Sequence, residues 1–369
     1  MEGGIVSTHN FKPLTMWLYL AALLGLYFLY RWYRERQTVE NLREKYVFIT
    51  GCDSGFGNKL ARQLDARGLR VLAACLTQKG AEQLEKATSE RLKATILDVT
   101  STESVAAATK WVKSCIGNEG LWGLVDNAGI GVPSGPNEWM TKDDFAKVIN
   151  VNLLGLIDVT LHLLPLVKQA KGRVVNISSV LGRVVFYGGG YCPSKFGVEA
   201  FSDSLRRELL PFGVKLSIVE PGGFCNPIML NFEENFSILW HQTSSDIRES
   251  YGQQYFEKLC KMHQYGIMIA SKNLHLVTAC MEHALLSRYP RTRYSPGWDA
   301  KLFFIPFSYL PTCVQDFLLS LAWPKPAQAT SHQRRSSSSC ARVLHRCGGN
   351  TPKRVAGSSR HEPFHHRTQ

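Results

Sequence analysis

The chain has 369 residues, of which 44% are hydrophobic and 20% charged. That composition excludes a chain disordered throughout, and no glycine period or sustained heptad supports collagen or coiled coil. The net charge of +13 is uneven, because residues 331–369 hold seven Arg and one Lys against one Glu; no DNA- or RNA-binding motif accompanies them, so no nucleic-acid partner is expected.

Leu14–Tyr30 is uncharged and apolar. As a helix it spans roughly 25 Å, close to a bilayer core, and it runs into Arg31-Trp32-Tyr33-Arg34 without a small-residue cleavage site. It reads as a membrane anchor. The basic residues that follow it place the main domain on the cytosolic side. Beyond it, short apolar runs alternate with helical stretches. Strands are predicted at Tyr46–Thr50, Arg70–Cys75, Ala94–Leu97, Gly123–Val125, Arg173–Ile177 and Val214–Val219. Helices are predicted at Gly55–Gly68, Ala81–Ala87, Ser104–Ile116, Lys142–Val167 and Ser194–Leu210. This βα alternation with uniformly apolar strands predicts an α/β fold, a doubly wound parallel sheet covered on both faces. Residues 227–265 are helix-like and aromatic. Ala300–Trp323 is apolar but interrupted by Pro306, Pro311 and Asp316, which favours a surface or membrane-dipping segment over a span. Residues 331–369 read as a disordered tail.

Four motifs carry chemistry. Thr50-Gly51-Cys52-Asp53-Ser54-Gly55-Phe56-Gly57 follows a strand and opens a helix, the context in which glycines bring a backbone close to a pyrophosphate at a helix N-terminus. Tyr191 and Lys195 lie at i and i+4 on one helix face, after a strand that ends at Ser178-Ser179. An ammonium beside a phenol favours the phenolate. Bringing a tyrosine from about 10 towards 7 takes roughly 4 kcal/mol, within reach of a lysine plus a cationic nicotinamide. Tyr191 is then a general acid/base, and Ser179 can hydrogen-bond the reacting oxygen. Asn127-Ala128-Gly129 ends the fourth strand with small residues. Asn152 sits mid-helix, where propensity disfavours it, either for a polar task or simply on the helix surface.

Together these motifs resemble the short-chain dehydrogenase/reductase superfamily, with a Rossmann-type sheet. Longer segments, among them KYVFITGCDSGFG and GGGYCPSKFGVEAFSDSLRREL, are similar to its microsomal retinol dehydrogenase and 3α/17β-hydroxysteroid dehydrogenase branch across about residues 16–328. The resemblance implies catalytic Ser179, Tyr191 and Lys195, with Asn152 in a proton relay. It implies cofactor contacts from Thr50, Gly51, Asp53, Ser54, Gly55, Phe56, Gly57, Asp98, Asn127, Ala128, Gly129, Tyr191, Lys195, Pro221 and Gly222. It also implies NAD as cofactor, with NADP open; a retinoid or steroid alcohol as substrate; membrane lipid as partner, with room for a homo-oligomer; and the endoplasmic reticulum membrane as location. The expected layout is an extension at 1–15, an anchor at 16–33, a dinucleotide-binding catalytic domain at 45–295 with substrate helices at 227–290, a membrane-associated segment at 296–328 and a basic tail at 329–369. A primarily hydroxysteroid-oxidising enzyme and a catalytically weak lipid- or partner-binding relative are the alternatives.

Three positions depart from the branch. Asp126 stands where Asn usually precedes NAG, Asn226 stands for the Thr that holds the carboxamide, and Cys75 rather than an acidic residue ends the second strand. No metal is expected, since the tail's Cys340, His345, Cys347, His361, His365 and His366 match no structural zinc spacing. With no CxxC among ten cysteines, no disulfide framework is expected either. Asn235-Phe236-Ser237 is a glycosylation sequon that matters only in a lumenal domain. The aromatic residues between Phe232 and Phe256 read equally as pocket lining or as core.

Overall fold

Residues 13–329 are described in a computed structural model; most of the N-terminal extension, the tail and its Cys and His residues lie outside them. The helix α1 (Pro13–Glu35) leads to β1 (Tyr46–Ile49), α2 (Gly55–Ala66), β2 (Arg70–Cys75), α3 (Gln78–Lys86), β3 (Leu92–Ile96), α4 (Thr102–Ile116) and β4 (Gly123–Asp126). Then come α5 (Lys142–Ile149), a π-helical turn (Asn150–Gly155), α6 (Leu156–Gln169), β5 (Arg173–Ile177), α7 (Tyr191–Leu209) and β6 (Lys215–Val219). Four helices follow: α8 (Pro227–Leu230), α9 (Phe232–Gln242), α10 (Ser245–Tyr251) and α11 (Gln253–Ile269). The described chain closes with α12 (His275–Leu286), β7 (Arg293–Tyr294), a second π-helical turn (Ala300–Phe304), α13 (Ile305–Ser308) and α14 (Thr312–Ala322).

The seven strands pair in the order β3-β2-β1-β4-β5-β6-β7, all parallel. Neighbouring side chains on a strand point to opposite faces. Val47 and Ile49 therefore join one core with Leu60, Leu64 and Leu285, while Phe48 joins the other with Val112, Leu163 and Leu209. A third cluster, containing Trp139, Phe232, Phe236, Trp240 and Tyr255, gathers the helices after β6. Strand order reverses between β1 and β4, the place where a doubly wound sheet leaves a crevice at its carboxyl edge.

Several boundaries move for local reasons. The helix α3 starts at Gln78 because Thr77 caps it, its side chain accepting from Gly80 N. The helix α7 starts at Tyr191, not Ser194, since Pro193 sits in a first turn that needs no amide. The predicted Lys142–Val167 helix is interrupted by the π turn around Asn152. Its apolar face, Val148, Val159, Leu163 and Val167, is core, although the stretch is long and apolar enough to cross a membrane. The two-residue β7 carries too little pattern to be legible.

Helix α1 behaves differently. The large apolar side chains from Met16 to Tyr33 are 46–64% exposed, with no covering element among the described residues. Its end is fastened to the domain: Glu35 pairs with Arg291, the Glu35 carbonyl lies 2.8 Å from His283 Nε2, and Arg34 stacks 3.9 Å over Tyr289. The C-terminal segment also exposes Trp298, Leu302, Phe317 and Leu321, while Phe307 is buried and Phe304 packs edge-on to Phe186. All eight cysteines among the described residues are free.

Candidate active site

The glycine-rich turn is built for close approach. Gly51 has φ +69°, and a Cβ there would lie 2.8 Å from Ala128 Cα. A Cβ on Gly57 would lie 2.4 Å from the Gly51 carbonyl oxygen and 2.5 Å from Asn127 Nδ2. A Cβ on Gly55 would meet nothing nearer than Pro227 at 3.8 Å. Ser54 precedes α2 without a side-chain cap, so the first-turn amides are left for another acceptor. Thr50 and Asn127 fasten this turn to the end of β4. Thr50 Oγ1 accepts from Asn127 N (2.9 Å) and Ala128 N (3.0 Å), and Asn127 Nδ2 donates to the Thr50 and Gly51 carbonyls. Asp98 lies exposed beyond β3, its carboxylate accepting from Thr100 N and Oγ1. Phe56 meets Phe224 edge-on at 5.9 Å.

Asn152 is fully buried in the π turn. Its Oδ1 accepts from Ile130 N (2.8 Å), and its Nδ2 donates to the Ile130 carbonyl (2.9 Å) and to Ser194 Oγ (3.1 Å). Ser194 Oγ in turn donates to the Tyr191 carbonyl. Ser194 was not singled out from the sequence, although its place within Tyr191-Cys192-Pro193-Ser194-Lys195 was a signal. A π turn of this kind is a frequent companion of functional sites. A Cβ on Gly129 would lie 3.2 Å from Asn152 Oδ1 and 3.8 Å from Lys195 Nζ, so only glycine leaves the space between them open.

Three side chains from β5 and α7 converge. Ser179 lies two residues past β5 and caps a short turn by accepting from Leu181 N. The Tyr191 hydroxyl is hydrogen-bonded to Ser179, and Lys195 Nζ donates to the Ile177 carbonyl at 2.9 Å, 5.7 Å from the Tyr191 ring centre. The electrostatics differ from the expectation drawn from the lysine. Burial pushes the Tyr191 phenol up to about 12, against the Ser179 hydrogen bond, and pushes the Lys195 ammonium down to about 8, against nearby Glu199. These side chains alone therefore hold Tyr191 protonated, and a cationic group must arrive to lower it.

The Pro221-Gly222 segment after β6 is held from the C-terminal side. Val180 N donates to the Pro221 carbonyl, Gly222 N to the Pro296 carbonyl, and Gly223 N to Asp299 Oδ2 at 2.5 Å. A Cβ on Gly222 would meet the Asp299 carboxylate at 2.4 Å. Asp299 had no sequence signal, because it lies 77 residues from the glycine it touches. The two departures near the site face other partners. Asn226 Oδ1 caps α8 by accepting from Met229 N, and Asp126 is buried beneath the site, accepting from Thr160 Oγ1 at 2.9 Å. Asn235 of the sequon is buried and donates to the Ser134 carbonyl, so it is no glycosylation acceptor in this fold. The aromatic residues divide between core and cleft. Phe236 and Trp240 are core, while Tyr251 and Tyr255 line a cleft of about 350 Å³ with Tyr187, Leu259 and Trp323.

These features can be set against known proteins. A family model described as short chain dehydrogenase matches residues 45–235. Human 17-beta-hydroxysteroid dehydrogenase type 6 is 62% identical over 316 residues, 85% of this chain and all of the relative. Mouse retinol dehydrogenase 16 is also 62% identical with the same coverage, and rat retinol dehydrogenase 7 is 61% identical. The crystal structure of a short-chain dehydrogenase from Streptomyces avermitilis superposes with a TM-score of 0.60 at 27% identity, over 75% of this chain and 95% of that one. The match spans both the glycine-rich turn and the Ser179–Tyr191–Lys195 set, and the parallel sheet places both on one edge; the chain belongs to the short-chain dehydrogenase family and is an NAD(P)-dependent dehydrogenase.

Proposed function

We propose that the chain oxidises retinol to retinal, and 3α- or 17β-hydroxysteroids to ketosteroids, on the membrane of the endoplasmic reticulum. The observation that carries this reading is the convergence of Ser179, Tyr191 and Lys195 on the carboxyl edge of the sheet, in a chain about 60% identical to retinol and 17-beta-hydroxysteroid dehydrogenases. The uncapped start of α2 and the glycine cradle suit a pyrophosphate, so Thr50, Gly51, Ser54, Gly55, Phe56 and Gly57 would hold that part of a dinucleotide, while the Asp53 carboxylate, which accepts from Leu76 N and Thr77 N at the end of β2, would lie towards its adenine ribose. Asp98, Asn127, Ala128, Gly129, Pro221 and Gly222 would line the rest. When bound, NAD supplies the hydride acceptor and a positive charge beside Tyr191.

Ser179 orients the alcohol through its hydroxyl. Tyr191 takes the alcohol proton, and Lys195 holds the ribose and keeps a cation near the phenol. Asn152 fixes the Ile130 backbone and the start of α7, and the remaining lone pair of its Oδ1 can hold a water that takes the proton from Tyr191 towards solvent. The aromatic cleft beside Tyr187 suits a long apolar substrate. The uncovered faces of α1 and of the segment 296–328 suit lipid, from which such a substrate would arrive. The basic residues after α1 favour a cytosolic catalytic domain.

The test is product analysis on membranes expressing the chain, supplied with NAD and either retinol or a 3α-hydroxysteroid. Retinal or ketosteroid should form, and Tyr191→Phe should lower the rate about 10²- to 10⁴-fold. Product no greater than in Tyr191→Phe membranes, with NADP tried as well, would sink the reading.

A further inference from the structure

The amino edge of the sheet, opposite the catalytic crevice, gathers cations. Lys45 precedes β1, Arg173 opens β5 and Lys215 opens β6, with Arg173 and Lys215 in register. Because the strands are parallel, all three stand at the same end. Lys45 Nζ lies 3.9 Å and the Arg173 guanidinium 4.7 Å from the centre of the Trp122 ring. Arg34, at the end of α1, and Lys215 share Tyr289 in the same way, at 3.9 and 5.7 Å, and Lys215 Nζ also donates to the Arg288 carbonyl. The chain leaving α1 is stitched on here, with Arg288 N donating to the Gln37 carbonyl and Val39 N to the Leu286 carbonyl.

Nearby arginines outside this group are paired: Arg291 with Glu35, Arg293 with Glu199, Asp203 and Glu220, and Arg183 with Glu220. Among the described residues none of Arg34, Lys45, Arg173, Lys215 and Arg288 is in an ion pair. Glu35 is already taken by Arg31 and Arg291, and Glu44, next to Lys45, is exposed. Arg173 is 5% exposed, and its Nε, like Arg34 Nε, is buried with no acceptor among the described residues. Lys45 and Lys215 are pushed below the usual lysine range, first by burial and then by Arg173, and Lys215 also by Arg34 and Arg288. Cations from five stretches of chain, held together without carboxylates, make a positive field that an anion relieves.

We propose that Arg34, Lys45, Arg173, Lys215 and Arg288 form a binding site for the headgroup of an anionic phospholipid at the foot of α1. The exposed apolar side chains of α1 run to Tyr33, one residue before Arg34, so a bilayer around α1 brings its phosphates level with these cations. A zwitterionic headgroup carries its own ammonium, which offsets the attraction; an anionic one does not. The basic tail at 331–369, with seven Arg and one Lys against one Glu, has the wrong sign to cover the patch. The site goes beyond the proposed reaction and takes from it only the seating of α1 in lipid. Bound lipid clamps the amino edge of the sheet to the bilayer surface.

The test is a binding measurement on full-length protein in a neutral detergent, titrated with short-chain fluorescent phosphatidylserine and phosphatidylcholine and read by anisotropy. Wild type should bind phosphatidylserine about tenfold or more tightly than phosphatidylcholine, and added salt should shrink the difference. The double variant Lys215→Gln, Arg288→Gln alters exposed residues on the edge away from Tyr191, and should lower the preference about tenfold. Arg34→Gln should act in the same direction and is read instead if the double variant melts below the assay temperature. Equal binding of the two lipids by wild type, or an unchanged preference in a folded variant, would overturn the proposal. Displacement of phosphatidylserine by inorganic phosphate at comparable concentration would overturn it too, since the site would then serve free phosphate. Alkaline carbonate that strips the chain from membranes would defeat the seating of α1 and the headgroup site together. A chain that stays in the membrane but shows no lipid preference would defeat the headgroup site alone.

Discussion

Asp126 offers a stability measurement with a definite sign. The residue is 2% exposed, its Oδ2 accepts only from Thr160 Oγ1, and its Oδ1 has no partner. Burial pushes its carboxyl from 3.8 up to about 7. A carboxyl with a raised folded-state value binds its proton more tightly when folded than when unfolded. Its ionisation therefore opposes folding, and the penalty grows as pH rises from about 4 to about 7 and is constant above that. At about 1.4 kcal/mol per pH unit, the full penalty is about 4 kcal/mol. Asp126→Asn does not titrate, can still bond Thr160, and is free of this penalty. The melting temperatures of variant and wild type, followed by intrinsic fluorescence in detergent, should separate as pH rises. Between pH 5 and pH 8.5 the gap should widen by about 3 kcal/mol, several degrees for a domain of this size. A gap that stays constant across that range, or narrows, would refute the reasoning, because it would mean that Asp126 is solvated or paired in the folded protein.

Three further outcomes can be checked directly. Gly57→Ala places a Cβ against the Gly51 carbonyl oxygen, and neither backbone can yield; NADH binding should be lost and the fold weakened by about 1–3 kcal/mol, read from binding and melting together. Asn152→Ala leaves the half-buried Ile130 amide and carbonyl without their side-chain partner, so the denaturation midpoint should fall by about 1–2 kcal/mol of stability. Ultraviolet difference titration of wild type against Tyr191→Phe, without cofactor, should show no tyrosinate from Tyr191 below pH 10, since burial holds the phenol at about 12; ionisation near pH 7 in that state would show that Lys195 alone suffices.

Much of this arrangement was legible in the sequence because its signals are local. Six strands were readable from continuous apolar runs, since a parallel strand is buried on both faces and hides no alternation. The Thr50–Gly57 turn and the Tyr191–Lys195 pair declare themselves by spacing, and the fold brings both to the carboxyl edge where β1 and β4 part. What was not legible depends on contacts between distant residues. The π turn at Asn150–Gly155 exists because the Asn152 amide reaches the Ile130 backbone, which no helix propensity records. Asp299 bears on Gly222 and Gly223 from the far end of the domain. The direction of the Tyr191 shift was also out of reach, because spacing reveals a neighbouring cation but not the burial that opposes it.

The same long-range contacts divide the site into a part that is set in advance and a part that is not. Thr50, Asn127 and Asn152 spend their hydrogen bonds on backbone, so the turns around the crevice are fixed without a ligand. Ser179, Tyr191 and Lys195 stand together, with burial holding Tyr191 protonated and lowering the Lys195 ammonium to about 8. Burial keeps Tyr191 neutral, and a positive charge next to it would shift the balance towards the phenolate. The segment after β6 is tied through Asp299 to the start of the exposed apolar C-terminal stretch, from Trp298 to Leu321. Whatever covers that stretch therefore bears on the same loop as Gly222. In this fold the seating of the C-terminal segment and the position of the Pro221-Gly222 loop are one mechanical problem.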